Sequence, residues 1–143
     1  LAYCINTITK SMGAADFLLG VCESWMTPAL FLSVAFIAGA VISFFTGSSW
    51  GTFAICIPIA VPMAYSFTGG QLGTLVYAAV GAVVSGGLFG DHCSPVSDTT
   101  VLSSLGAACD HIDHVRTQLP YALLAAAVSI ILWIVVALVG GAA

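Results

Sequence analysis

The sequence predicts an all-α, polytopic membrane fold with about four to five transmembrane segments and discontinuous helices, and three observations carry that expectation. Of 143 residues, 60% are apolar and only 6% are charged, against roughly a quarter charged in an average soluble domain. Too few polar groups remain to cover a water-facing surface, and the mean hydropathy is +1.13. Charge is also absent in blocks: 67 residues separate Glu23 from Asp91, and 27 follow Arg116. At about 20 residues per crossing, the first block has room for three apolar segments and the second for one. The whole chain, 1–143, reads as one membrane domain.

The opening stretch, 1–28, mixes Lys10, Asp16 and Glu23 with apolar residues and reads as a partly buried helix followed by a loop from Glu23 to Pro28. The first apolar segment, 29–46, is about 27 Å long as a helix. Along it Ala35, Gly39, Ser43 and Gly47 recur every fourth residue, a ridge of small side chains that lets another helix come close. The second, 53–68, contains Pro58 and Pro62; each removes a helix hydrogen bond and crowds the preceding turn, so a kinked or interrupted helix is expected.

The third segment, 72–90, has one small-residue ridge through Thr74, Ala78, Ala82, Gly86 and Gly90 and a second through Gly73, Gly81 and Ser85. A helix so short of bulk on two adjacent rows suits the crowded centre of a bundle. The fourth, 119–139, is rich in Leu, Ile and Val, with Pro120 near its first turn, where proline is tolerated. Trp133 lies inside it rather than at an interface.

Polar chemistry is concentrated in 91–116, which holds four of the six acids, all three histidines and the only arginine. The string GDHCSPVSDTT, Gly90 to Thr100, follows the Gly86–Gly87 pair. Glycine and proline together argue that 86–97 is unwound, with a half-helix resuming at Asp98 and running to Cys109. Asp91, Ser94, Ser97 and Asp98 would then lie near mid-bilayer, where an Asp costs roughly 2.5 to 3.5 kcal/mol. Such a cost needs a functional reason. Carboxylates, hydroxyls and unwound carbonyls are oxygen ligands of the kind hard cations prefer, and broken helices supply them in many secondary transporters. A carboxylate that can hold either a small alkali cation or a proton is the minimal machinery of exchange. The other reading is an ordinary loop, with Ser94 or Asp98 capping the next helix.

A second hydroxyl-rich string, TGSSWGTF, brings Thr46, Ser48, Ser49 and Thr52 together around Trp50. It reads either as a turn joining two spans or as an unwound stretch completing the same ion site. Further on, CDHIDHVRTQLPYA (Cys109 to Ala122) places Asp110 and His114 four residues apart and Asp113 near Arg116. This is an interfacial helix with local ion pairs, or a pH sensor, because histidine titrates near about 6.5; His92, His111 and His114 are the candidates.

Several function classes are excluded or disfavoured. Lys10 and Arg116 are the only strongly basic side chains, too few to bind nucleic-acid phosphates. Five cysteines (Cys4, Cys22, Cys56, Cys93, Cys109) form no C-x-x-C pair, which suggests neither a disulfide framework nor a zinc ribbon. His92, Cys93, Cys109, His111 and His114 are transition-metal ligand types, but no H-E-x-x-H occurs and the only glutamate is Glu23. A zinc-dependent membrane enzyme is therefore disfavoured, and no cofactor is expected. The chain opens on Leu1 without a basic stretch before an apolar run, so no signal peptide is read.

TGSSWGTF, GDHCSPVSDTT and CDHIDHVRTQLPYA, in this order and spacing, resemble the C-terminal part of the NhaC family of sodium/proton antiporters. The resemblance runs from about Met12 to the last span. It implies a multi-pass protein of the cytoplasmic (inner) membrane, several times longer than this chain, that exchanges sodium ions for protons. Related exchangers couple organic acids such as malate and lactate to sodium and protons. Asp91 and Asp98 fall on the family's acidic motif as ion- and proton-coupling residues, with Ser94, Ser97 and Thr99 beside them as ion ligands. Thr46, Ser48, Ser49 and Thr52 fall on the hydroxyl-rich one.

An organic anion would favour a buried Lys or Arg as its counter-charge; Lys10 and Arg116 lie near segment ends, which favours a cation as sole substrate. The expected partners are membrane lipid, sodium, protons, and a missing N-terminal half or another subunit. A chain without them is expected to insert in a membrane but to exchange nothing alone, as a truncated, non-transporting fragment would.

Overall fold

The computed structural model describes residues 26–140 and, before them, residues 4, 7, 8, 11–13, 17, 20 and 21. Lys10, Asp16, Cys22 and Glu23, and with them most of the expected opening helix and the start of its loop, lie outside the described residues. Met26 and Thr27 are non-helical, in line with the end of that loop. Five helices follow: α1 Pro28–Thr46, α2 Ser49–Phe67, α3 Thr74–Cys93, α4 Asp98–Gly106 and α5 His111–Gly140. No strand occurs among the described residues. Helices α2, α3 and α5 are long and apolar enough to cross a membrane, and α1 contributes a shorter apolar stretch, Leu30–Thr46. The fold is thus an all-α, polytopic membrane architecture.

α1 opens with Pro28 in its first turn, where the missing N–H costs nothing. It closes on Gly47 at φ 66°, a left-handed conformation that favours glycine. α3 is the central helix and touches each of the other four. Its small-residue ridge packs directly on that of α1. A Cβ at Gly86 would lie 2.1 Å from the Phe36 carbonyl oxygen, and one at Gly90 would lie 2.3 Å from that of Ala40. The two backbones are in contact, and the Ser43 hydroxyl donates to the Gly87 carbonyl at 2.6 Å.

Around this seam Leu32, Phe36, Met63, Ala64, Leu75, Ala79 and Val83 form the buried core. α5 lies along α3's second ridge. The Trp133 indole rests on Gly81 and donates from Nε1 to the Ser85 hydroxyl at 3.2 Å. That contact explains why this tryptophan is inside the span. The opposite side of α5 is an exposed row including Leu124, Ile131, Val135 and Leu138.

Of the kinked or interrupted helix expected for the second segment, the structure excludes only the interruption: α2 is continuous through Pro58 and Pro62. The prolines are four residues apart, so both lost hydrogen bonds fall on one stripe of the helix, which can bend without breaking. α3 likewise runs unbroken through Gly86, Gly87 and Gly90 to Cys93, because these glycines serve close approach to α1 and α2 rather than unwinding.

The break is only Ser94–Ser97. Pro95 cannot continue the helix, and Ser94 before it is extended, with ψ 132°, as a residue preceding proline prefers to be. α4 ends at Gly106, short of Cys109. The break therefore follows a helix already about 30 Å long, and Asp91 lies in its last turn rather than half-way along it. Finally, 111–118 and 119–139 form one 30-residue helix, which places Pro120 in the interior of α5 and not in its first turn.

Candidate functional site

Both polar strings converge on Asp91. The linker Gly47–Ser48 packs against the break; a Cβ at Gly47 would lie 2.8 Å from the Val96 carbonyl oxygen, so the tight left-handed turn and the close approach both require glycine. This contact brings the start of α2 to the end of α3. Ser48 caps α2, its hydroxyl accepting from the Gly51 N–H at 3.3 Å, which turns Ser49 toward α3. The Ser49 hydroxyl donates to Asp91 Oδ2 at 2.9 Å. From the other side Ser97, the N-cap of α4, donates to Asp91 Oδ1 at 2.6 Å. Asp91 is only 8% exposed.

Each carboxylate oxygen thus has one hydroxyl donor, and each donor stands at the N-terminus of a helix, where the macrodipole is positive. The Ser97 oxygen has a second hydroxyl neighbour, Thr99 Oγ1 at 2.7 Å, which is the donor of that contact while the Ser97 proton is directed at Asp91. Around this core other groups brace the break. The Ser94 hydroxyl donates to the Phe44 carbonyl at 2.6 Å, pinning the break to the end of α1. The Thr100 hydroxyl donates to the His92 carbonyl at 3.1 Å, closing α4 onto α3. Hydroxyls thereby satisfy carbonyls that an interrupted helix leaves without partners.

The remaining sequence candidates are distributed differently. Thr46 is exposed and its hydroxyl returns to the Ile42 carbonyl of its own helix. Thr52 is fully buried, but its hydroxyl donates to the Ser48 carbonyl at 2.9 Å, supporting the α2 turn rather than the carboxylate. Asp98 is exposed in the first turn of α4, its Oδ1 accepting from the Thr99 N–H at 2.9 Å. The structure gathers Asp91, Ser49, Ser97 and Thr99; Ser48 and Ser94 hold the backbone around them.

His92 lies on the exposed side of α3 and meets the Gln118 amide of α5. His111 bridges the break and α4: its Nε2 meets the Pro95 carbonyl oxygen at 2.7 Å, and its Nδ1 meets Ser104 Oγ at 3.3 Å. His114 is half-buried in the first turn of α5. Asp110 caps α5, accepting from the Ile112 N–H at 2.9 Å. Among the described residues no group of three or more His, Cys, Asp or Glu gathers as metal ligands would.

Between α3 and α5 a cavity of about 580 Å³ opens on the site, lined by Asp91, His92 and Thr99 at its polar end and by Leu88, Phe89 and Ala126 farther in. Gln118, also in the lining, has a buried Oε1 without a hydrogen-bond partner among the described residues. The sequence reading missed Gln118, although an amide at the entry of an apolar span is a visible signal. It also treated Ser43 only as a small residue.

The protein-family model described as the Na+/H+ antiporter family matches residues 1–138. The chain belongs to the Na+/H+ antiporter family. Among this antiporter segment's relatives, an uncharacterized protein of Haemophilus influenzae is 48% identical over 136 residues, covering 94% of this chain and 25% of the relative. The malate-2H(+)/Na(+)-lactate antiporter of Bacillus subtilis is 36% identical over 114 residues, 80% of this chain and 23% of that protein. The Na(+)/H(+) antiporter NhaC of Alkalihalophilus pseudofirmus is 32% identical over 124 residues, 87% of this chain and 26% of that protein. The chain thus spans about a quarter of the length of these curated relatives. No solved structure matches it. Family membership and the apolar helices make the segment part of a multi-pass membrane protein.

Proposed function

We propose that this segment builds the ion site of a sodium/proton antiporter of the cytoplasmic membrane, with Asp91 binding sodium and a proton in alternation. The observation that carries the reading is the Asp91 carboxylate itself: buried, held by hydroxyls from two separate motifs, and open to a cavity whose lining contains no Lys or Arg among the described residues.

The hydroxyl geometry suits the exchange. Ser49 and Ser97 direct their protons at the carboxylate. A sodium ion bridging carboxylate and hydroxyl oxygens needs lone pairs instead, so each hydroxyl must rotate. The displaced Ser97 proton has an acceptor at hand in Thr99 Oγ1, 2.7 Å away. A proton on Asp91 makes the same demand of one hydroxyl, whose oxygen must accept from the carboxylic O–H in place of the cation. One carboxylate cannot satisfy both at once, and that competition couples the two fluxes. The remaining three quarters of a relative's length supply the moving partner bundle that alternating access requires.

A second reading, sodium- and proton-coupled exchange of an organic acid, draws on the size of the cavity. About 580 Å³ is within the range of small-molecule sites and far exceeds one bare ion. Against it stands the lack of a basic side chain in that lining to meet an anion.

The test uses a full-length family member carrying residues 1–143 as its matching segment, reconstituted in proteoliposomes with an internal pH dye. A sodium jump should drive proton movement that Asp91→Asn abolishes. Unchanged flux in that variant refutes the assignment, and flux that appears only with malate or lactate present favours the second reading.

A further inference from the structure

The geometry points to His111 as a positioning residue for the Asp91 site, acting through the carbonyl of Pro95; the inference rests on the ion-site reading above. The four residues of the break are each accounted for. Ser94 is tied through its hydroxyl to the Phe44 carbonyl, and Ser97 through its hydroxyl to Asp91. Val96 is 63% exposed. Pro95, which has no N–H, has its carbonyl as its only polar backbone group, and that carbonyl meets His111 Nε2 at 2.7 Å. A carbonyl oxygen only accepts, so Nε2 carries the proton.

The other ring nitrogen faces Ser104 Oγ at 3.3 Å, while the Ser104 hydroxyl itself donates to the Val101 carbonyl at 2.8 Å. His111 is the first residue of α5 and Ser104 lies in α4. Through its Nε2–H the imidazole ties the break to the long apolar helix, while Nδ1, without a proton in this tautomer, only lies beside Ser104 of the half-helix. The tie ends two residues before Ser97. Asp110, adjacent in sequence, is occupied in capping α5 through the Ile112 and Asp113 N–H groups and does not substitute for it.

Removing the imidazole frees the Pro95 carbonyl and lets the break shift, so that Ser97 no longer meets Asp91 Oδ1 in one fixed geometry. Sodium binding should weaken more than turnover. In the full-length protein carrying this segment, His111→Ala is expected to raise the half-saturating sodium concentration about three- to tenfold, the range set by one lost hydrogen bond. The maximal rate per folded protein should change less.

His111→Gln, whose terminal amide reaches where Nε2 lies, should recover most of the loss. His111→Asn, whose amide ends where Nδ1 lies, should not. A wild-type sodium dependence in His111→Ala, or equal effects in the Gln and Asn variants, overturns the inference. A readout independent of transport is NMR of the 143-residue chain in micelles. Neutral His111 is expected in the Nε2–H form, and the Asp91 carboxyl carbon resonance should move in His111→Ala and return in His111→Gln. An Nδ1–H tautomer, or an Asp91 resonance indifferent to His111→Ala, also overturns it. Absence of sodium/proton exchange in the parent protein would instead refute the ion-site reading and leave this NMR comparison to decide the role of His111.

Discussion

Replacing Gly86 by alanine tests whether the α1–α3 seam positions the site. A Cβ there would lie 2.1 Å from the Phe36 carbonyl oxygen, 2.9 Å from its carbon and 3.1 Å from the Ala40 nitrogen. All three atoms are backbone, so no side-chain rotation relieves the overlap, and the helices must separate by more than an ångström to restore ordinary contact. Overpacking typically costs about 1–3 kcal/mol, and an overlap with backbone alone belongs at the upper end. The higher helix propensity of alanine returns about 1 kcal/mol, leaving an expected net loss of about 2 kcal/mol. Separation would also stretch the 2.6 Å bond from Ser43 to the Gly87 carbonyl and carry Asp91, one turn further along, away from Ser49. Gly106→Ala is the control, because nothing lies within 4 Å of a Cβ at that position. Unfolding of the chain in detergent micelles, followed by far-UV circular dichroism on SDS titration, should show Gly86→Ala clearly destabilised and Gly106→Ala unchanged or slightly more stable. Equal stability of the two variants would refute the backbone-contact account of the seam.

Other outcomes follow from the same geometry. Ser97→Ala removes a donor to Asp91 and the cap of α4 together, and should raise the half-saturating sodium concentration in vesicle flux by about tenfold. Asp98→Asn should keep near-wild-type sodium-dependent proton flux, since its carboxylate is exposed and accepts only from a first-turn N–H; loss of flux comparable to that of Asp91→Asn would return Asp98 to the ion site. Trp133→Phe forfeits the Nε1 bond to Ser85 and part of the contact with Gly81, and should lower stability by about 1 kcal/mol in the same SDS titration without abolishing flux.

Much of this arrangement was legible in the sequence. Spacing alone identified the small-residue ridges of α1 and α3, and because spacing of four residues is a property of one helix face, the expectation that α3 is central carried through. The acid and hydroxyl strings also stand out in the sequence as polar groups in an uncharged region, where such groups are costly. What spacing cannot express is which of two roles a glycine plays. Gly86, Gly87 and Gly90 are consistent with unwinding and with close packing, and only the position of Phe36, Ala40 and Phe53 beside them selects packing. The boundary of the break depended instead on Pro95, whose local effect on Ser94 was the more reliable signal. The pairing of Ser49 with Asp91, 42 residues apart, and the reach of His111 to Pro95 arise from tertiary folding and have no local trace.

The most direct test of the central claim is sodium-driven proton release measured on the purified full-length protein carrying this segment, in weakly buffered detergent solution with a pH indicator. If Asp91 exchanges one ligand for the other, adding sodium at a pH where the site is protonated releases protons from the wild-type protein and none from Asp91→Asn, while the same ionic strength of a bulky organic cation releases none from either. Sodium-driven release of equal size from Asp91→Asn would contradict the account.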